Sequence, residues 1–245
     1  MVKIVLDAGH GGTDSGAVGN GLQEKNLTLN IVKKIGGLLA EYEGVSIIYT
    51  RTDDRFVELS ERAAIANRAD ADFFLSVHIN AGGGTGFESY IYNGGVSSAT
   101  IAYQNVIHNE IMKAIAGVQD RGKKRANYAV LRETKMPALL TENLFIDNAN
   151  DAAKLKSEPF LLQVAHGHVE GIAKAFGLKR KATQQKQEEP KMPAPEKTAY
   201  DKAVDAAFEF LKQHGVVTQD RREEPVTRAQ VFLMLHRLAQ NMLQK

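Results

Sequence analysis

The sequence predicts an α/β domain with a largely parallel sheet and helices on both faces, linked to a small all-α unit. Three observations carry this expectation. Over residues 1–178, short apolar runs alternate with stretches of helical periodicity, the rhythm that builds a parallel sheet covered on both sides. Residues 179–199 shift to Lys, Gln, Glu and Pro with little that is apolar, the composition of a solvated linker. Residues 200–245 regain helical spacing.

Taken in order, Val2–Leu6 is an apolar run that ends in Asp7-Ala8-Gly9-His10, a buried strand. Residues 24–42 carry Leu27, Ile31, Ile35, Leu38, Leu39 and Tyr42 on one stripe, an amphipathic helix. Val45–Tyr49 reads as a strand, 58–69 as an Ala-rich helix, and Asp72–His78 as a second apolar strand. Gly86–Tyr92 alternates and is rich in aromatics, which favours a strand. Ser97 or Ser98 can cap a helix bearing Ile101, Ile107, Ile111 and Ile115, ended by Gly117. Short strands are expected at Ala129–Leu131 and Ala138–Thr141. A last helix runs from Leu155 to Phe176 and stops at Gly177. In the C-terminal unit, Ala203, Ala207, Phe210 and Leu211 form one stripe, and Thr227-Arg228-Ala229-Gln230 has capping-box form ahead of a second helix.

Composition narrows the function. Of 245 residues, 43% are hydrophobic and 24% charged, and the net charge is +2. That balance gives no case for nucleic-acid binding, and no apolar run approaches the roughly 20 residues of a membrane span. There is no cysteine, so a zinc site would have to use His, Asp and Glu. The N-terminus enters a strand directly, with no long apolar segment or cleavage site, which leads to the expectation of synthesis in the cytoplasm without a secretion signal.

In open α/β sheets ligands bind beyond the carboxyl ends of the strands. His10, His78 and Glu142 are each expected to follow the last apolar residues of a strand, so three ionisable groups would meet at one sheet edge. Glu24 opens the first helix on its buried stripe, where a carboxylate needs a cation; the alternative is plain complementation of the helix dipole. His78 can equally be hydrogen-bonded filler, and Asn80 a turn former rather than a supporting group. Glu88 is the alternative carboxylate, as base or substrate contact. His108, His166 and His168 fall within helices and read as surface or packing residues, as do His214 and His236. Arg51 and Arg62 read as structural ion-pair partners. Two imidazoles and one carboxylate would leave a fourth zinc position open for water.

The segments Asp7-Ala8-Gly9-His10-Gly11-Gly12, Gln23-Glu24-Lys25-Asn26, Ser76-Val77-His78-Ile79-Asn80 and Glu142-Asn143-Leu144-Phe145-Ile146-Asp147-Asn148, in that order, closely resemble the zinc-dependent N-acetylmuramoyl-L-alanine amidases of the type 3 family. The resemblance covers about residues 1–178 and includes Tyr49-Thr50-Arg51 and Leu59-Ser60-Glu61-Arg62. It implies a twisted mixed sheet, one zinc ion on His10, Glu24 and His78, and Glu142 as the catalytic residue. The implied substrate is the peptidoglycan amide between the muramic acid lactyl group and L-alanine. Leu144 departs from the glycine that many members carry.

Gly215-Val216-Val217 and Val226-Thr227-Arg228-Ala229-Gln230 resemble an S-layer homology module, which implies binding of a secondary wall polymer by residues 200–245; a helical tail for self-association is the alternative. The whole layout resembles a phage endolysin that reaches the wall, and lyses the host, after holin-type release. A sporulation autolysin freed by mother-cell lysis has the same chemistry. The rival classes are a zinc peptidase cutting the stem peptide and a non-catalytic wall-binding protein.

Overall fold

The computed structural model describes residues 1–181 and, alone beyond them, Gln213. The expected linker from 182 onward and the expected helical unit at 200–245 lie outside the described residues, Gln213 aside.

The strands are β1 (Val2–Ala8), β2 (Val18–Gly19), β3 (Leu22–Gln23), β4 (Val45–Tyr49), β5 (Phe73–Asn80), β6 (Phe87–Tyr92), β7 (Asp120–Ala126) and β8 (Ala138–Phe145). The helices are α1 (Glu24–Leu39), α2 (Leu59–Arg68), α3 (Ser98–Ala114), α4 (Ala129–Arg132), α5 (Ala149–Leu155) and α6 (Glu158–Phe176). Six strands form one sheet in the order β4-β1-β5-β8-β6-β7. Neighbours are parallel throughout except β6 against β8. The sheet is therefore mixed and mostly parallel, as expected. β2 and β3 form a separate two-residue ladder in the loop leading into α1. No helix among the described residues is long and apolar enough to cross a membrane.

One face of the sheet carries the larger core, where Ile4, Leu6, Leu75 and Leu139 meet Ile31 and Ile35 of α1, Ile107 and Ile111 of α3, and Val164 and Ile172 of α6. The other face carries a smaller cluster, Val5, Phe74 and Leu140 with Ala66 of α2 and Val130 and Leu131 of α4. This split follows from alternation along each strand. In α1, Leu27, Ile31, Ile35 and Leu39 are buried and Leu38 only partly so. Ser97 is the cap of α3, its side chain accepting the Thr100 amide.

Four expectations are corrected. Residues 129–131 form the single helical turn α4, not a strand: the Tyr128 carbonyl accepts the Leu131 and Arg132 amides, and the turn buries Val130 and Leu131 on the smaller cluster. The last helix does not begin at Leu155; α5 ends there and α6 begins at Glu158. Pro159 sits in the first turn of α6, where its missing N–H is harmless, whereas inside a continuous helix its ring would meet the carbonyl of residue 155. Neither Glu142 nor His78 follows the last apolar residue of its strand; they lie within β8 and β5, in register with one another, and Ile79 and Leu144 continue the apolar pattern beyond them. Arg51 makes no ion pair among the described residues; its guanidinium donates to the carbonyls of Ala8, Gly9, Lys25 and Asp53. Strand β7 was not expected, because Asp-Arg-Gly-Lys-Lys-Arg-Ala offers no apolar alternation.

Candidate metal centre

The site forms at one edge of the sheet, where β1 and β5 end and α1 begins. After Ala8 the chain turns through His10, whose φ of 61° is left-handed, a conformation an L side chain adopts only when its surroundings hold it. The holding group is Arg62 of α2. Its guanidinium donates to the Ala8 carbonyl at 2.6 Å and the His10 carbonyl at 2.8 Å. It also pairs with the fully buried Asp7 at 2.8 Å. Thr50 and Ser76 hydroxyls donate to the same Asp7 carboxylate, so the buried charge is fully partnered. Gly9 must lack a side chain, since a Cβ there would lie 2.3 Å from the His78 ring.

His10, Glu24 and His78 converge. Glu24 Oε1 lies 3.1 Å from His10 Nε2 and 3.0 Å from His78 Nδ1. One ligand atom from each of the three lies within 4.8 Å of the others. The two rings meet edge to face, with centroids 5.0 Å apart. Glu24 continues the buried stripe of α1, and its carboxylate accepts the backbone amides of Ala17 and Ile79. Burial alone would raise its pKa, but hydrogen bonds from the two histidines outweigh this and hold it well below the usual carboxylate range. Asp14, which the sequence did not single out, lies 2.8 Å from His10 Nδ1. A carboxylate can only accept, so the ring donates to Asp14 through Nδ1, and Nε2 is the nitrogen that faces Glu24. A carboxylate behind a ligating imidazole is a common support of metal sites. The chemistry of this donor set, two imidazole nitrogens and a carboxylate oxygen with an open side, fits a metal ion.

Glu142 lies beside this group in a cleft of about 590 Å³, lined also by Phe56, Asn80 and Tyr128. Its Oε2 is buried and has no hydrogen-bond partner among the described residues. Burial pushes its pKa up to about 7, with Glu24 and Glu88 adding to the rise against the opposing effect of His78.

Glu88, its direct partner across β6 and β8, is held quite differently. Its carboxylate accepts from Asn80 Nδ2 at 2.7 Å, Tyr90 Oη at 2.7 Å, Arg121 Nε at 2.8 Å and Lys124 Nζ. Burial is again the largest single influence, yet the bonds from Lys124, Tyr90 and Arg121 together bring its pKa down to about 2. Asn80 thus donates its side-chain amide to Glu88 and not to His10, Glu24 or His78.

The other histidines among the described residues are apart from this group, and His214 and His236 lie outside them. His108 bridges Ser89 and Asp120 within the fold. His168 bridges Thr141 and the Val164 carbonyl, fully buried, while His166 is half-buried. The arrangement Ser89–His108–Asp120 has the order of a nucleophilic triad, but Ser89 and His108 are fully buried in the wall between β6 and α3. They tie β6, α3 and β7 together.

A family model described as N-acetylmuramoyl-L-alanine amidase matches residues 4–174, a span that contains every residue of this site. The chain is 56% identical over 181 residues to a sporulation-specific N-acetylmuramoyl-L-alanine amidase of Bacillus subtilis, covering 74% of this chain and 70% of that protein. It is 54% identical over 187 residues to an endolysin of Bacillus phage SPP1, covering 74% and 69%. Among solved structures, the catalytic domain of CwlV, an N-acetylmuramoyl-L-alanine amidase from Bacillus (Paenibacillus) polymyxa, matches with a TM-score of 0.69 at 38% identity, covering 73% of this chain and 100% of that one. By sequence and by fold, this chain belongs to the N-acetylmuramoyl-L-alanine amidase family.

Proposed function

We propose that the chain hydrolyses the peptidoglycan amide between the lactyl group of muramic acid and L-alanine, with zinc held by His10, Glu24 and His78 and with Glu142 as general base. The observation that carries this reading is the pairing of a three-residue metal group with a buried, unpartnered carboxylate in register beside it. Zinc bound there supplies Lewis-acid polarisation of the scissile carbonyl and acidifies water. Glu142 takes a proton from the attacking water at Oε2 and returns it to the departing nitrogen of L-alanine. The C–N bond breaks, leaving a lactyl carboxylate and an alanine amine. A carboxylate with a pKa near 7 suits both halves of that transfer. Glu88 is unsuited to it, because four donors hold its negative charge. Asp14 keeps the His10 tautomer fixed.

Mass spectrometry of digested, purified peptidoglycan tests the reaction. A new L-alanine amine with a free lactyl carboxyl is the expected product, and a cut within the stem peptide would overturn it.

The setting we read is host lysis by an endolysin made in the cytoplasm and released to the wall, an endolysin being among the relatives. The sporulation-specific relative stands at nearly equal identity. Expression inside a host cell separates the two: lysis that requires co-expression of a holin is expected. For residues 200–245 the reading is attachment to a secondary wall polymer. A version ending at Lys181 is expected to keep its activity on a small soluble substrate and to lose activity on whole walls. Equal activity on walls would end that assignment.

A further inference from the structure

The sheet orders the site from one side to the other. His10 follows β1, His78 is on β5, Glu142 on β8 and Glu88 on β6, with Arg121 and Lys124 last, on β7. At about 4.8 Å per strand, the two cations stand two strand spacings, about 10 Å, beyond Glu142.

Two cations on one face are not what a regular strand provides. Residues 121 and 124 are three apart, and alternation would send them to opposite faces. The pairing of β6 with β7 slips, however: Phe87 stands opposite Asp120, but Ser89 stands opposite Lys123. The extra residue falls at Gly122, whose φ of 88° is left-handed. A bulge of this kind re-aims side chains, and bulges gather beside active sites. Here it brings Arg121 Nε and Lys124 Nζ onto the same oxygen of Glu88. Lys123 reaches the other way, to Asn109 of α3. A second bulge, at Leu144 in β8, turns Phe145 under the Arg121 guanidinium, 4.7 Å from the ring centroid.

The result is a pre-set cationic pair. Two positive charges meet one buried carboxylate, so one charge is in excess. Arg121 and Lys124 remain 29% and 35% exposed while Glu88 is 3% exposed. Arg121 uses only Nε; its two terminal nitrogens make no hydrogen bond among the described residues.

We infer that Arg121 and Lys124 form a subsite for a free carboxylate on the stem peptide, carried by the residue that follows the cut L-alanine. The inference rests on the amidase reading above. Successive Cα atoms are 3.8 Å apart, so the carboxylate of the next residue extends most of the way from Glu142 to β7. A γ-linked glutamate at that position presents such a group, and its α-amide does not. Glu88 holds the two cations in place, which gives the alternative carboxylate of the sequence a structural role in recognition.

The test compares muramoyl-L-alanyl-γ-D-glutamate with its α-carboxamide on the full-length protein. Turnover is measured with the native chain and binding by calorimetry with Glu142→Gln. Charge-assisted bonds of this type imply at least about tenfold tighter binding of the carboxylate. Arg121→Gln and Lys124→Gln are expected to bring the ratio between the two ligands near one. Arg121→Lys should keep part of the preference and Lys123→Gln all of it, with melting temperatures confirming that each variant folds. Equal binding of both ligands overturns the subsite, and so does loss of the preference in Lys123→Gln, which would indicate a general charge effect or an anionic polymer surface. If the native chain cuts neither compound while Glu142→Gln still prefers the carboxylate, the subsite stands and the amidase reading fails.

Discussion

Glu142 and Glu88 face each other directly across the one antiparallel pair of the main sheet, yet the fold holds them in different protonation regimes. Glu142 Oε2 is buried without a partner among the described residues and the pKa of the group rises to about 7. Glu88 is buried and ringed by donors, and its pKa falls to about 2. Two neighbouring carboxylates pushed apart in this way are the usual signature of divided labour, and the difference fits the roles proposed above, proton exchange at Glu142 and a fixed charge at Glu88.

Glu142→Gln keeps the shape of the cleft and removes the proton acceptor. Turnover is expected to fall by about 10²–10⁴-fold, with metal content unchanged by elemental analysis. Near-normal turnover in this variant would move the base elsewhere.

His78→Ala removes one of the three converging ligand atoms, so metal occupancy should fall together with activity. Chelation of the native chain should abolish turnover, and added Zn²⁺ should restore it in the native chain at concentrations that leave the variant inactive. A variant that retains one tightly bound ion per chain would show that His78 is no ligand.

Stability should fall in mild acid because of His168. Its Nδ1 donates to the Val164 carbonyl and its Nε2 meets the Thr141 hydroxyl, an arrangement for a neutral ring, and burial lowers its pKa from 6.5 to about 4. Between these values the unfolded chain binds more protons, so stability is complete above about pH 7 and is lost as pH falls through 6.5 toward 4. The loss is on the order of 3 kcal/mol. Urea unfolding at pH 7.5 and 4.5 should show a smaller difference for His168→Gln than for the native chain. Parallel losses in the two proteins would exclude His168 as the cause.

Leu144 combines a left-handed φ of 69° with complete burial in the larger core. The backbone costs about 1–2 kcal/mol for an L residue, and truncating a buried leucine costs about 3–5 kcal/mol. Leu144→Gly relieves the first while incurring the second; Leu144→Ala incurs the second and keeps the first. Thermal or urea unfolding should rank native above Leu144→Gly, and Leu144→Gly above Leu144→Ala by about 1 kcal/mol. The reverse order for the two variants would show that the bulge is unstrained.

Much of this was legible in the sequence because apolar periodicity reports burial. The stripe Leu27, Ile31, Ile35 placed α1, and its extension by one turn placed Glu24 inward. The runs at β1 and β5 placed His10 and His78 near one edge. Features set by side-chain polarity against the usual trend were not legible. Strand β7 lies at the sheet edge and is written in charged residues, so nothing marks it as a strand. The break between α5 and α6 depends on a proline whose effect reads the same within a helix or at its start. Asp14 has the right type and spacing, four residues after His10, but no local pattern separates it from a loop aspartate. Glu88 looked like a spare base because sequence shows the carboxylate and not the four donors around it.

The bulge at Gly122 bears on how this chain can change length. Loops usually tolerate gained or lost residues. Removing one residue between Arg121 and Lys124 would leave them two apart in a regular strand, a spacing that keeps both on the face of Glu88. A substitution at Gly122 that flattened the bulge at constant length would instead send one cation to the opposite face and leave the buried carboxylate with fewer donors. Strand β7 can therefore shorten by one residue at this point more safely than it can lose its glycine.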